Sequence, residues 1–340
     1  MNFLKQRIIL NPKTNLTNTE MGHIVLCSDK NVLRALGVTV VSVLEHTCIP
    51  CHIHIFYNGI MEEADKQKFN TLARQYDISI SIYYLDNMAV SELPHNEAIS
   101  VTAYYRLLVP YILKTFDVNT CLYLDTDILI FHDMRELFSI DLQAHAAYVI
   151  KDAISNTSHW NDYCKQIGMK GHSYFNSGVM VLNNDVMVRD DLGMKAIQLA
   201  SAHHFTYMDQ DVLNVILEGN VIFDAAPMYN CTMGVTNQEY HLLGEEQIKI
   251  VHFTGTKKPW KKFTRYWGDK NPRDLTHSWA FSYYKKWRQY AAKSPWADVP
   301  FEEPETYSEW RYLSAMYRRN GEYGKAISAY CIYINKKIKT

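Results

Sequence analysis

The sequence predicts an α/β fold, a mostly parallel sheet flanked by helices, followed by a small helical region at the C-terminal end. Three observations carry this. From His23 onward, short runs of β-forming residues alternate with stretches of helical periodicity. The apolar run 120–124 ends on Asp125-Thr126-Asp127, at the kind of strand end where open α/β sheets hold their ligands. From Asp274 the chain turns basic and aromatic at helical spacing. With 340 residues there is room for one large α/β domain and a smaller piece.

In chain order, residues 1–20 are polar and without periodicity, and are expected to form an extended arm. Residues 24–28 read as a buried strand ending on Asp29, Lys30 and Asn31, and Val32, Leu33, Leu36, Val40, Val43 and Leu44 mark a helix. A strand over 52–57, a turn at Asn58-Gly59, a helix over 62–76 and a strand over 78–85 complete a βαβαβ pattern. Such alternation requires parallel pairing and right-handed crossovers. Residues 86–100 read as a polar loop, and 103–113 as a helix interrupted at Pro110. The buried strand 120–124 leads to the acidic pair and the apolar stretch 128–131. One helical turn at 134–138 and a strand at 146–150 follow, then a long polar stretch, 153–172, read as a lid or acceptor-facing loop. A strand over 174–182, helices over 190–203 and 209–217, and short strands at 221–223 and 248–253 come next. Helices over 278–292, 307–319 and 322–337 end the chain, the last two joined at Asn320-Gly321 as a hairpin. The expected division is an arm (1–20), a catalytic domain (21–265) and a basic helical region (266–340).

Composition narrows the class. Apolar residues at 47% and charged residues at 21% are ordinary for a soluble globular chain. No run approaches the ~20 apolar residues of a membrane span, and the first ten residues lack a signal-peptide core. Seven scattered cysteines, an odd number, point to reduced thiols in a cytoplasm rather than a disulfide framework. Cys48-Ile49-Pro50-Cys51 has redox spacing, but no second pair completes a zinc site, and it reads as two idle thiols. The net charge of −1 hides an asymmetry: from Lys257 on there are 18 Lys and Arg against 8 Asp and Glu, leaving 17 against 28 before it. A basic tail on an acidic body suits a polyanionic partner such as a membrane surface or a phosphorylated glycolipid. Nucleic acid is disfavoured, because the tail carries no recognition fold.

Five groups of residues carry chemistry. Asp125 and Asp127, spaced i and i+2 at a turning strand end, can converge on one hard divalent cation; each can equally serve the turn itself. Asp29 and Asn31 lie at the end of the first parallel strand. Asn176-Ser177-Gly178 interrupts an otherwise apolar strand, an odd place for a polar-small triplet unless something docks there. Asp209-Gln210-Asp211 opens a helix, where aspartate can simply cap. His252 begins a segment running to Trp260 that offers an imidazole, a glycine and lysines. Taken singly, each fits a structural role. Together they supply ligands for one metal and charges for one diphosphate.

The blocks Tyr123-Leu124-Asp125-Thr126-Asp127, Tyr174-Phe175-Asn176-Ser177-Gly178, Asp209-Gln210-Asp211 and His252 to Trp260 resemble the signature blocks of glycosyltransferase family 8. The family comprises retaining, metal-dependent enzymes of GT-A fold that use UDP-sugars. The resemblance runs from about residue 23 to residue 260; Ser294-Pro295-Trp296 and the helical tail resemble the subgroup that builds the lipopolysaccharide outer core. It implies that Asp125, Asp127 and His252 hold Mn²⁺ or Mg²⁺. It implies Asp29 and Asn31 at uracil and ribose, Gly255 and Lys258 at the diphosphate, and Arg106 at donor sugar and phosphate. Asp152, Asn176, Asp209 and Gln210 would line the sugar. Lys30 departs from the Asp-Asp of some relatives and is given no role. The implied enzyme moves glucose or galactose from UDP-glucose or UDP-galactose onto the lipopolysaccharide core by front-face attack. Its implied place is the cytoplasmic face of the bacterial inner membrane, as a peripheral protein. Rival readings are another glycan or protein acceptor, or a nucleotide-sugar-binding priming module.

Overall fold

Strands β1 (Leu4–Leu10), β2 (Gly22–Asp29), β3 (Cys51–Asn58), β4 (Ser79–Leu85), β5 (Thr120–Leu124), β6 (Ile128–Ile130), β7 (Ala147–Lys151), β8 (Phe175–Asn183), β9 (Val221–Asp224), β10 (Cys231–Thr232) and β11 (Ile250–His252) fall into two sheets. The larger runs β1-β4-β3-β2-β5-β8-β7-β9, the smaller β10-β11-β6. These come from a computed structural model describing residues 3–13, 21–95, 100–153, 158–233, 243–244, 246–255, 258–263, 275–319 and 321–339.

The α/β fold is the one the pattern of strands and helices requires. β2 pairs in parallel with β3 and β5, β3 with β4, and β7 with β9; β1 and β8 run the other way. β2, β3 and β4 are buried on both faces almost throughout, so even the polar members of the alternating runs in β3 and β4, His52, His54, Ser79 and Ser81, lie inside the protein. The carboxyl ends of the parallel strands form one polar rim: β2 ends on Asp29 and β3 on Asn58, while Asp86, Asp125 and Asp152 follow β4, β5 and β7.

Helices α1 (Leu33–His46), α2 (Glu63–Gln75), α3 (Tyr105–Lys114), α4 (Arg135–Phe138), α5 (Ser158–Gln166), α6 (Asn184–Arg189), α7 (Leu192–Ala202) and α8 (Met208–Ile216) flank the sheets. One core face joins Val25, Phe56, Tyr83, Leu107, Tyr123, Met180 and Leu213. α1 is buried from Ala35 to Leu44 and packs on β6 of the small sheet.

Four expectations change. Leu4–Leu10, expected within an extended arm, is an edge strand antiparallel to β4; its half-exposed, irregular burial left no periodicity to detect. Residues 14–20 of that arm lie outside the described residues. The stretch read as a long loop after Ala153 contains α5, whose Trp160 and Cys164 pack with Met169 and Tyr174. The helix expected over 190–203 is α7, but a short helix with no counterpart in the sequence pattern, α6, precedes it, the two parted where Asp191 takes φ +53°. Pro110 stands inside α3 without ending it.

Three histidines sit buried on neighbouring strands, away from that rim. His23 Nδ1 is 3.0 Å from His54 Nε2, His54 Nδ1 is 2.8 Å from Tyr83 Oη, and His52 Nε2 is 2.8 Å from Ser81 Oγ. Burial drives down the basicity of two of them, His52 to about 3 and His54 well below its ordinary value, helped by the neighbouring rings and Arg7.

The chain divides into two compact units, residues 1–252 and 253–340; the sequence reading put the boundary at 265. In the second unit, α9 (Leu275–Lys293), α10 (Tyr307–Arg319) and α11 (Tyr323–Lys339) follow one another, and α10 packs on α11. Trp287 and Trp296 are fully buried, with Trp260 5.7 Å from Trp287. All seven cysteines are free thiols.

Candidate active site

Asp125 closes β5 in the large sheet, and Asp127, two residues on, opens β6 in the small one. α1 fixes the turn between them: Thr39 Oγ1 donates to the carbonyls of Thr126 (2.7 Å) and Ile128 (2.8 Å), and Ser42 Oγ accepts from Ile130 N. β6 pairs antiparallel with β11, whose last residue, His252, is the partner of Ile128. That register brings a histidine 125 residues downstream against the acidic pair.

His252 Nε2 lies 3.1 Å from Asp127 Oδ1 and 3.7 Å from Asp125 Oδ2, and one ligand atom of each residue lies within 4.8 Å of the other two. Two carboxylates and an imidazole converging this closely are a donor set suited to a divalent cation, so these residues fit the expected metal. Each ligand is oriented from behind. Asp125 Oδ1 accepts from Arg106 Nη2 and Tyr123 Oη, both at 2.8 Å, leaving Oδ2 turned toward His252. His252 Nδ1 meets Asn230 Oδ1 at 3.0 Å. Gly178 makes room: a Cβ there would stand 2.2 Å from His252 Cε1 and 2.9 Å from Asp125 Oδ2.

Gly178 belongs to the odd triplet in β8, and a bulge explains it. Opposite β7, the register jumps from Val149↔Met180 to Ile150↔Asn176, so Ser177, Gly178 and Val179 leave the ladder. Asn176 is thereby aimed into a polar cluster. Its Nδ2 donates to Asp152 Oδ2 (3.2 Å) and Gln210 Oε1 (3.0 Å), and its Oδ1 accepts from Gly178 N and Asn230 Nδ2. Gln210 Oε1 also accepts from Ser177 N, and its Nε2 donates to Asp152 Oδ2 and Tyr174 Oη.

Arg106 is buried behind both groups. Its Nη1 donates to Ser177 O and Oγ, and its guanidinium lies 4.5 Å over the Tyr123 ring. Asp209 Oδ2 is 3.0 Å from Arg106 Nε, but that N–H points at Ala103 O, so the pair is ionic rather than hydrogen-bonded. Burial raises the Asp209 carboxyl, and Arg106 opposes it; on Arg106, Asp125 and Asp209 outweigh burial and hold the guanidinium charged. Just before Asp209, Met208 takes φ +44°, a left-handed conformation that a β-carbon resists.

The structure thus gathers Arg106, Asp125, Asp127, Asp152, Asn176, Asp209, Gln210 and His252 into one bonded constellation. Asp29 stands on the same rim, on the strand next to β5, with its oxygens taken by Asn31 N, Ser100 Oγ and Thr102 Oγ1. Asn31 beside it is exposed. Gly255 (φ +75°) and Lys258 belong to the second unit, where Lys258 Nζ donates to Phe253 O. Sequence reasoning missed Asn230, which no periodicity or motif marks. It also gave no role to Asp211, which is buried and accepts from Tyr163, Tyr174 and Tyr207 N; burial raises its carboxyl.

A family model described as glycosyl transferase family 8 matches residues 23–264, and one for the C-terminal region of that family matches 281–337. Over 323 residues the chain is 24% identical to a lipopolysaccharide 1,3-galactosyltransferase of Salmonella typhimurium, covering 91% of this chain and 89% of that one. It is 26% identical over 334 residues to a lipopolysaccharide glucosyltransferase of Escherichia coli K12, covering 92% and 90%. The fold resembles the galactosyltransferase LgtC, crystallised with donor and acceptor sugar analogues: TM-score 0.65, 24% identity, 80% of this chain and 96% of that one. The chain belongs to glycosyl transferase family 8 and is a glycosyltransferase.

Proposed function

We propose that this glycosyltransferase moves glucose or galactose from a UDP-sugar to a hydroxyl of the lipopolysaccharide core, retaining the anomeric configuration. The observation that carries the reading is the convergence of Asp125, Asp127 and His252, since departure of a nucleoside diphosphate calls for concentrated positive charge. The lipopolysaccharide glycosyltransferases to which the chain is similar along most of its length support the acceptor. Asp125, Asp127 and His252 would hold Mn²⁺ or Mg²⁺, which supplies that charge when bound.

The chain's own side chains do the rest. Arg106 and Tyr123 keep Asp125 Oδ2 facing the ion position. Asp152, Asn176, Gln210 and Asp209 line the donor sugar, the bonds among the first three holding a fixed polar floor. Gln210 Oε1 already accepts from two N–H groups and Asp209 is tied to Arg106, so neither is a good nucleophile. Retention then goes through front-face attack, with the departing phosphate oxygen taking the acceptor's proton. A glycosyl adduct trapped on Asp152 or Asp209 and seen by mass spectrometry would overturn that step. Asp29 and Asn31 serve uracil and ribose, and Gly255 and Lys258 the diphosphate.

The second unit serves attachment to the cytoplasmic face of the inner membrane. No described helix is long and apolar enough to cross a bilayer. On α11, however, Tyr323, Ile327, Tyr330, Ile334 and Ile338 are exposed at helical spacing, with Lys336, Lys337 and Lys339 at its end. Aromatic and aliphatic residues beside lysines suit a helix lying at anionic headgroups.

The deciding experiment is a panel of UDP-sugars with Mn²⁺ or Mg²⁺ and truncated lipopolysaccharides, read by product mass and anomeric NMR. Transfer of glucose or galactose with retention, abolished by chelator, is expected. Full transfer in excess chelator, or hydrolysis without an acceptor product, sinks the proposal.

A further inference from the structure

Asn230 lies outside every motif, yet it is buried with both ends of its amide engaged. The orientation of that amide follows from the backbone. Gly178 N can only donate, and it meets the side chain of Asn176 at 3.0 Å, so the Asn176 atom it meets is the carbonyl oxygen. Asn230 approaches the same oxygen at 2.9 Å and must offer its NH₂ there. Its own oxygen therefore faces His252 Nδ1, at 3.0 Å, and that ring nitrogen carries the hydrogen. The lone pair of the neutral imidazole is left on Nε2, the atom turned toward Asp127 Oδ1 and Asp125 Oδ2.

We infer that Asn230 is a positioning residue: through the run Gly178 N–H, Asn176, Asn230, it locks His252 in the tautomer and ring orientation that present Nε2 as a metal ligand. The inference rests on the proposed metal reading and deepens it. Asn176 is the branch point. Its oxygen serves the Asn230–His252 arm, and its NH₂ serves Asp152 and Gln210, so one amide ties the ion position to the sugar-lining group. Without an acceptor on Nδ1 the ring can take the opposite tautomer, which would turn an N–H toward the position of the ion.

The test is Mn²⁺ titration of the full chain, read by the electron paramagnetic resonance signal of the free ion, in wild type, Asp127→Ala, Asn230→Ala and Asn230→Asp. Asn230→Ala should bind about 10- to 100-fold more weakly than wild type, the usual effect of losing the partner of a ligating histidine. Asn230→Asp keeps an oxygen against Nδ1 but loses the donor to Asn176 Oδ1, and should bind more tightly than Asn230→Ala and less tightly than wild type. Wild-type affinity in Asn230→Ala, with binding lost in Asp127→Ala, overturns the inference and leaves the metal reading standing. Equal binding by wild type and Asp127→Ala sinks the metal reading, and the inference with it. A second measurement needs no variant at position 230. In ion-free wild type at alkaline pH, ¹⁵N correlation spectra should show the His252 hydrogen on Nδ1, with the resonance assigned by its loss in His252→Asn. A hydrogen on Nε2 overturns the inference.

Discussion

His252 Nε2 stands 3.1 Å from Asp127 Oδ1 because Ile128, the residue after Asp127, is the antiparallel register partner of His252. The geometry of this centre is therefore a property of strand pairing, and perturbations should be read as changes of position as well as of charge.

Gly178→Ala tests position alone. The new Cβ would meet His252 Cε1 at 2.2 Å and Nδ1 at 2.7 Å, so the ring must move. A displacement of this order is expected to lower turnover by about 100-fold. Overpacking should cost about 1–3 kcal/mol, leaving a folded protein. Steady-state kinetics and urea denaturation check both; unchanged kinetics would show that the position of the ring does not govern turnover.

The two aspartates should separate by stability. Asp125 accepts from the buried Arg106 and from Tyr123, whereas Asp127 lies outside that ion pair. Asp125→Ala takes one of two carboxylates from a buried guanidinium and should cost about 3 kcal/mol, with Asp209 still opposite. Asp127→Ala should abolish turnover at a cost below about 1 kcal/mol. Urea midpoints give the comparison.

Stability should fall in mild acid through the buried histidines. His52 is depressed to about 3 and His54 well below its ordinary value, so below about pH 6.5 the unfolded chain takes up protons the folded one refuses. Each contributes a loss of roughly 1.4 kcal/mol per pH unit from there downward, for His52 until about pH 3. The raised carboxyls of Asp209 and Asp211 act with the opposite sign, because the folded state holds those protons more tightly. Comparison with His52→Gln isolates the histidine part: its stability between pH 7 and 5 should decline less steeply, by about one proton.

Replacing Tyr323, Ile327 and Tyr330 with serine removes part of the exposed apolar stripe of α11. Sedimentation with anionic vesicles should show at least about a 10-fold weaker association, and raised salt should weaken what remains. Activity on a soluble acceptor should be unchanged. Equal sedimentation of the variant would remove the stripe from the attachment surface.

Much of the fold was legible in the sequence because its signals are local. α10 begins and ends where its spacing of apolar residues said, and β3 and α2 differ from expectation by one residue at each end. β1 was not legible, since an edge strand with Lys5, Gln6 and Arg7 has no alternating face to reveal it. β8 was expected as a strand, but its antiparallel direction was not legible, because a strand buried along its length carries no mark of direction. At the candidate site, Asp125, Asp127, Asn176, Asp209, Gln210 and His252, all from motif blocks, are found together, whereas Gly255 and Lys258 of the last block fall in the second unit. What no block carries is what stands behind them. Asn230 contributes its amide from a short turn after Pro227. Such contacts arise from register and bulges over long separations, which composition and periodicity do not encode.

Asp125 terminates one sheet and Asp127 starts the other, with a single residue between them. An ion shared by both would act as a rivet across that seam, adding to the links that the turn, α1 and Asn230 already make between the two sheets. Loading the protein with Mn²⁺ should therefore slow amide exchange at Ile128–Ile130 and Ile250–His252 more than in β3 or β4. The small sheet would then be firmest whenever the candidate centre holds its ion.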